Sequence, residues 1–424
     1  MPSYTFMNNI SCRFFLWAGP LDIYWALLRR TLVRLPLQAA RNQLSKGVAR
    51  QWCFLLILIA FIACKKPYEP EAIKAINDFL VVDGFINTSA NGVTTIKLSR
   101  ARSISDSTFD VLPEGSGNIN IESSNGAFYA LHQSANGVYE SLPLNLSRNQ
   151  TYRLNITTGN GSHYQSDLVA VKETPLIDSL SWEQKGDVTI YANTHDPLNN
   201  SRYYRWDFIE TWQHTANLES LLGVNNGRIF FRDSTNFFYN CWSDAPSTNI
   251  ILGTSSALNQ DVISKAPVKK LVQHDIKLGV RYSILVNQYS LTQEAYQYWE
   301  IIQKNTSNIG TLFDLQPSQL HGNIHPLTNK NEPVIGFVSA GTVQQKRLFI
   351  DHDQVTNWTI ERPPHVPCDL VSIPQNGFDY LIFNYPDPRY GPYYFITGGI
   401  VLSKKDCFDC TLDGGTPVKP VFWR

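Results

Sequence analysis

Residues 151–157 read Thr-Tyr-Arg-Leu-Asn-Ile-Thr, and the fold class follows from how they alternate. Tyr152, Leu154 and Ile156 fall on one face of an extended chain, and Arg153, Asn155 and Thr157 on the other. Asn160-Gly161 supplies turn chemistry, and residues 164–171 run back as a partner strand. The same grammar occurs upstream. Residues 79–86 are β-rich, Ser89-Ala90-Asn91-Gly92 is a hairpin turn, and 93–98 end with Ile96 and Leu98 in alternation. Short half-buried strands at a spacing of roughly ten residues predict an immunoglobulin- or fibronectin-like antiparallel sandwich over residues 76–172.

Glu173-Thr174-Pro175 marks a boundary, because proline interrupts a strand ladder. Residues 176–424 read as a larger β-rich domain with strands at 188–191, 203–211, 228–232, 282–289, 334–338 and 347–350. One amphipathic helix interrupts them. Ser290 and Gln293 form a capping box, and Leu291, Ala295, Tyr298, Trp299 and Ile302 share a face up to about residue 304. That stripe is read as core packing rather than a binding face. The expected class is therefore mainly β: a sandwich, then a larger β-rich domain with one helix. No fixed-period repeat supports a propeller or solenoid.

Lys+Arg and Asp+Glu are equal at 36 each, which speaks against a nucleic-acid partner or a polybasic membrane-surface role. The aromatic fraction of 12% suits strands.

Residues 55–71, LLILIAFIACKKPYEPE, carry a second message. The apolar run over residues 52–63 is shorter than the ~18 residues a spanning helix needs. Lys46 and Arg50 instead form a positive n-region and residues 53–62 an apolar h-region, with Ala63 as the small residue before a cleavage point. Phe61-Ile62-Ala63-Cys64 has the arrangement of a lipobox, with Phe where Leu or Val is usual. Residues 48–63 are thus expected to be a lipoprotein signal peptide, Cys64 the lipidated residue, and 64–75 a tether. The only methionines are Met1 and Met7. A start near Leu44 or Val48 at a non-Met codon would make residues 1–47 a misassigned extension, and a basic membrane-surface segment is the rival reading.

With Cys12 and Cys53 removed and Cys64 acylated, four cysteines remain: Cys241, Cys368, Cys407 and Cys410. An even number in an exported chain reads as two disulfides, with three possible connectivities. Cys407-x2-Cys410 and His321-x3-His325 also have spacings used by zinc, but Gly322-Asn323 between the histidines argues for a loop. No metal or cofactor site is expected. His195-Asp196 has the residue types of an acid–base pair, yet neighbouring strand residues point to opposite faces, and Asp196-Pro197 followed by Asn199-Asn200 is turn chemistry. The sequence contains no G-x-S-x-G elbow, H-E-x-x-H, Walker loop or G-x-G-x-x-G. Trp206, Trp212 and Trp242 could stack on sugar rings, though core packing is the commoner use of tryptophan.

The lipobox at Cys64, Leu80-Val81-Val82-Asp83-Gly84, Thr174-Pro175-Leu176-Ile177-Asp178-Ser179, and Asp196-Pro197 followed by Tyr203-Tyr204-Arg205-Trp206 come in a familiar order. So do the segment 291–299, Gly322-Asn323-Ile324, Val334-Ile335-Gly336-Phe337 and the tail from Cys407 to Trp423. Together they resemble a family of Bacteroidota outer-membrane lipoproteins catalogued as a domain of unknown function, number 4249. The resemblance spans essentially everything after Cys64. It implies an accessory role beside a TonB-dependent transporter in nutrient uptake, with no catalytic residues to carry over. The expectation is a lipid-anchored outer-membrane protein that binds the transporter or its nutrient ligand and is not an enzyme, with the leaflet left open. A free-standing glycan- or peptide-binding adhesin and an exported hydrolase with an unrecognised site are the alternatives.

Overall fold

A computed structural model describes residues 79–101, 112–225, 228–233, 237–307, 322–360, 367–374 and 387–423. Cys64, the expected signal peptide and tether, and His321 lie outside them. The first part of the chain is strand after strand: β1 (Leu80–Asn87), β2 (Thr95–Arg100), β3 (Leu112–Pro113), β4 (Asn118–Ser123), β5 (Phe128–Ala135), β6 (Val138–Ser141), β7 (Thr151–Thr157), β8 (His163–Ser166) and β9 (Val169–Lys172). The founding alternation holds, since Tyr152, Leu154 and Ile156 of β7 are all buried. The turns form as read: Gly92 N–H donates to Ser89 O at 2.8 Å with Asn91 at φ 54°, and Gly161 takes φ 83°.

Next come β10 (Ile177–Lys185), β11 (Asp187–Asp196), β12 (Tyr203–Thr215), β13 (Leu222–Asn225), β14 (Arg228–Phe231), β15 (Asn240–Pro246), β16 (Ile251–Thr254), β17 (Asp261–Leu271) and β18 (Arg281–Leu291). Helix α1 (Gln293–Ser307) precedes β19 (Ile324–Pro326), β20 (Ile335–Gly336), β21 (Ser339–Gly341), β22 (Val343–Asp351), β23 (Val371–Pro374), β24 (Tyr390–Ile396) and β25 (Gly399–Lys404). The chain is mainly β with one α-helix among the described residues, as expected.

The pairing differs from the sandwich expected over residues 76–172. It runs β7-β4-β5-β6-β2-β1-β21-β9, and β9 pairs back to β7, so eight strands close a barrel-like ring. The stave between β1 and β9 comes from far along the chain: β21 lies parallel to both, Phe85 to Asn87 matching Ser339 to Gly341, and Ala340 matching Val171. β20 and β19 extend it along β1 and β8. Period-2 alternation marks which face of a strand is buried but not which strand lies beside it, so barrel and sandwich look alike in sequence. Closure removes the unpaired edges an open sheet would present. Inside lie Ile86, Ile96, Ile119, Ile121, Leu154 and their neighbours, all near zero exposure. At about 1.5–3 kcal/mol per buried aliphatic side chain, this interior outweighs any surface ion pair, worth roughly 0–1 kcal/mol.

Two antiparallel sheets follow, β10-β11-β17 and β15-β12-β18-β22 with β16 beside β12, and they contribute to one core. Its members alternate along each strand: Val188, Ile190 and Ala192 from β11, Tyr204, Trp206 and Phe208 from β12, Tyr282, Ile284 and Val286 from β18. The 173–175 boundary is tied down rather than loose. Thr174 N–H donates to Thr342 Oγ1 at 2.8 Å, and Ser290 N–H donates to Thr174 Oγ1 at 3.0 Å. Of the strand expected at 334–338 only Ile335–Gly336 forms, as β20, and β21 begins just beyond it at Ser339.

α1 starts later than expected. Ser290 belongs to β18, and Thr292 is the cap, its Oγ1 accepting from Ala295 N–H at 3.2 Å. The expected stripe divides: Ala295 and Tyr298 are buried, while Trp299 and Ile302 are half-buried. β13–β14 and the sheet β23-β25-β24 share a small third core of Leu222, Ile373, Ile400 and Leu402. The disulfide Cys241–Cys410 ties β15 to the segment after β25, and Cys368–Cys407 links the residues just before β23 to those just after β25, each with Cα atoms 5.8 Å apart. Gly414, at φ 84°, ends the short 3-10 turn Cys410–Asp413 in the left-handed conformation glycine tolerates.

Candidate functional site

On β12, Tyr204, Trp206 and Phe208 are buried in the core, so Arg205 and Asp207 project from the opposite face of the sheet. On β18 the same alternation buries Val286 and Gln288 and places Asn287 and Tyr289 beside them. Register sets the rows: Arg205 opposes Tyr289 and then Val343, while Asp207 opposes Asn287 and then Gln345. This face looks toward β1 of the barrel, α1 and residues 246–250, and between them lies an open cleft of about 610 Å³. That volume is in the range of small-molecule sites, roughly 300–1,000 Å³.

The second row is a polar chain. Asn287 Nδ2 donates to Asp207 Oδ1 at 2.6 Å, and Gln345 Nε2 donates to Asn287 Oδ1 at 2.8 Å. The first row is aromatic and cationic. The Arg205 guanidinium carbon lies 4.4 Å from the Trp299 ring centroid and 5.1 Å from that of Tyr289, and Phe85 meets Tyr289 edge-on at 4.9 Å. Arg205 Nη2 is 3.7 Å from Asp207 Oδ2, beyond hydrogen-bonding distance. Burial, with Asp207 adding to it, pushes the Tyr289 phenol far above its ordinary range and keeps it protonated. Asp83 and Lys97, register partners on β1 and β2, complete the charged lining. Among the described residues no histidine or cysteine lines the cleft.

Of the residues singled out from sequence, Trp299 and Ile302 of the helical stripe line the cleft, and the candidate tryptophans, histidines and cysteines have other roles. Trp206 is 1% exposed, stacked on Tyr204 at 5.8 Å, with its indole N–H donating to Gln288 Oε1 at 2.9 Å. Trp212 packs against the core under Lys277, and Trp242 is buried against Trp423. All three are packing residues. His195 pairs not with Asp196 but with Asp178 across β10–β11, at 2.8 Å. Asp196 is the turn residue expected: burial opposes its ionisation, but backbone N–H groups of Leu198, Asn200 and Ser201 hold it below the ordinary carboxylate range. Cys407 and Cys410 belong to different disulfides, so they are not joint metal ligands. His325 pairs with Asp167 at 2.9 Å, and among the described residues no three His, Cys, Asp or Glu side chains converge. Sequence reading missed Arg205, Asp207, Asn287 and Tyr289 as site residues. The available signal was Arg205 and Asp207 as charges within an otherwise apolar strand, Tyr203 to Ile209.

Closed barrel-like sheet, paired sheets and the open cleft between them define a mainly β protein. The chain belongs to the family described as a domain of unknown function, DUF4249, whose model matches residues 65–347. The C-terminal motif from Cys407 to Trp423 lies beyond the matched span. No curated protein matches the chain. Among solved structures it is similar to a DUF4785 family protein from Legionella pneumophila, at 8% identity over 49% of this chain and 52% of that one, with a TM-score of 0.17. It is also similar to the Yersinia pseudotuberculosis adhesin InvE, at 9% identity over 50% and 55%, with a TM-score of 0.14. The chain thus spans about half of each, and at these scores the likeness bears no argument.

Proposed function

We propose that this is a non-catalytic binding subunit, anchored to the outer membrane by lipid on Cys64, which holds a nutrient ligand in the cleft and works beside a TonB-dependent transporter. The observation that carries the reading is the cleft: it is walled by β1, β12, β18, β22 and α1, and its polar side chains bond to one another rather than in nucleophile–base pairs. A pocket built on strands keeps its shape without ligand, which lowers the ordering cost of binding. The start of the family match at residue 65, one position after Cys64, supports processing at that cysteine. Residues 64–75 then give the folded part reach above the bilayer.

The test is affinity purification of a C-terminally tagged copy from detergent-solubilised native membranes, with mass spectrometry of the eluate. A transporter β-barrel at near-equal amount is the expected result, lost when Cys64→Ala releases the protein from the membrane fraction. An acylated protein that elutes alone overturns the partnership and leaves a free-standing binder.

A further inference from the structure

We propose that the cleft's ligand carries a carboxylate, received by the guanidinium edge of Arg205, on an apolar body that rests against Trp299 and Phe85. The inference deepens the binding-subunit reading and rests on it.

The side chain of Arg205 is only 16% exposed. A guanidinium carries five N–H donors, and taking it out of water is costly unless acceptors meet them. Among the described residues the Arg205 side chain donates no hydrogen bond; its charged neighbour Asp207 stands at 3.7 Å and is already held by the Asn287 amide at 2.6 Å. What the protein does supply is aromatic. With Trp299 at 4.4 Å and Tyr289 at 5.1 Å, the rings restrain the guanidinium and leave donors on its edge open toward the cleft. A planar donor fork held in this way matches a carboxylate bidentately, at about twice the strength of a neutral hydrogen bond.

The rest of the lining narrows the class. Asp83 and Asp207 balance Lys97 and Arg205, so the cleft has no surplus positive charge to hold a dianion. A phosphate dianion would bring twice the charge of a carboxylate against the same Asp83 and Asp207, so a single carboxylate is the better match to one fork. Val93, Ile302 and Ile335 extend the aromatic wall into an apolar one, which suits a hydrocarbon or ring-bearing body.

The test is calorimetry on the full chain in a neutral maltoside detergent. The probes are trans-cinnamate and octanoate, each beside its neutral amide, with inorganic phosphate as a competitor. The acids are expected to bind at least tenfold more tightly than the amides, and phosphate is expected not to displace them. Arg205→Met should erase the preference for acid over amide, Arg205→Lys should restore part of it as a point charge without the fork, and Trp299→Ala should weaken acid and amide together. Acid and amide binding equally to the wild type, with Trp299→Ala weakening both, overturns the carboxylate and leaves the cleft as the binding site. Failure of every probe to bind, or binding that ignores Trp299→Ala, overturns both. The wild-type ratio needs no variant to fold.

Discussion

Ile86 on β1 and Ala340 on β21 are register partners in a parallel pairing, so the barrel-like ring that starts the fold is completed only by a segment that follows the helix. Gly341 sits where this stave meets β9, and a Cβ there would lie 2.4 Å from the Lys172 carbonyl oxygen. Gly341→Val is expected to destabilise the protein by about 1–3 kcal/mol, the usual cost of forcing volume into packed structure. Denaturant midpoints check this. Tryptophan fluorescence from the paired sheets and far-ultraviolet dichroism should shift together, because the ring and the sheets are tied through Thr174, Thr342 and Ser290.

Strand positions and buried faces could be read from local chemistry: Tyr152, Leu154 and Ile156 announced β7, and Asn91-Gly92 announced its turn. Partnership could not. Nothing in Ser339-Ala340-Gly341 says that it pairs with β1, because three small residues carry no periodicity. The helix start was misplaced by two residues because Ser290 and Thr292 can each cap, and the deciding fact is that Ser290 completes β18. The cleft was hidden for a related reason. Trp299 shares its helical face with the buried Ala295 and Tyr298, and only the tertiary position of β1 turns the end of that stripe into a wall.

The disulfides are expected to matter unequally. Cys241–Cys410 spans 169 residues of chain and Cys368–Cys407 spans 39. Chain-entropy reasoning puts each removal at about 2–5 kcal/mol, with the longer loop at the upper end. Cys241→Ser/Cys410→Ser should therefore lower the melting temperature more than Cys368→Ser/Cys407→Ser. Alkylation without reductant should find no free thiol among the four.

Glu210 is 3% exposed on the core face of β12, where it accepts from the Tyr282 hydroxyl at 3.0 Å, pairs with Lys269 at 3.3 Å and also pairs with Lys277. Burial and the adjacent Glu210 push the Tyr282 phenol strongly upward, so it remains a donor. Glu210→Ala strands two ammonium groups and should cost about 3 kcal/mol, at the low end for a broken buried pair because both lysines keep some contact with water. Adding Lys277→Met to that variant should recover part of the loss in the same melts.

His195 has a pKa raised above the reference 6.5, first through its hydrogen bond to Asp178 and then through that residue's charge. A folded value above the unfolded one means the pair's stabilisation is complete below pH 6.5 and is lost as pH rises through the folded value. An NMR titration of the His195 ring should give a midpoint above 6.5 that falls back in Asp178→Asn.

Arg205 and Trp299 should be coupled by about 0.5–2 kcal/mol in a double-mutant cycle of Arg205→Met and Trp299→Ala, read from unfolding. Additive effects would mean that the stacking contributes nothing to stability.

Whether the cleft holds a ligand is best answered by native mass spectrometry of the protein purified gently from native membranes. The expected spectrum shows the acylated chain with a stoichiometric small-molecule adduct, absent from Arg205→Met/Trp299→Ala prepared in parallel. An adduct retained unchanged by that double variant would place binding elsewhere and contradict the cleft as the working site.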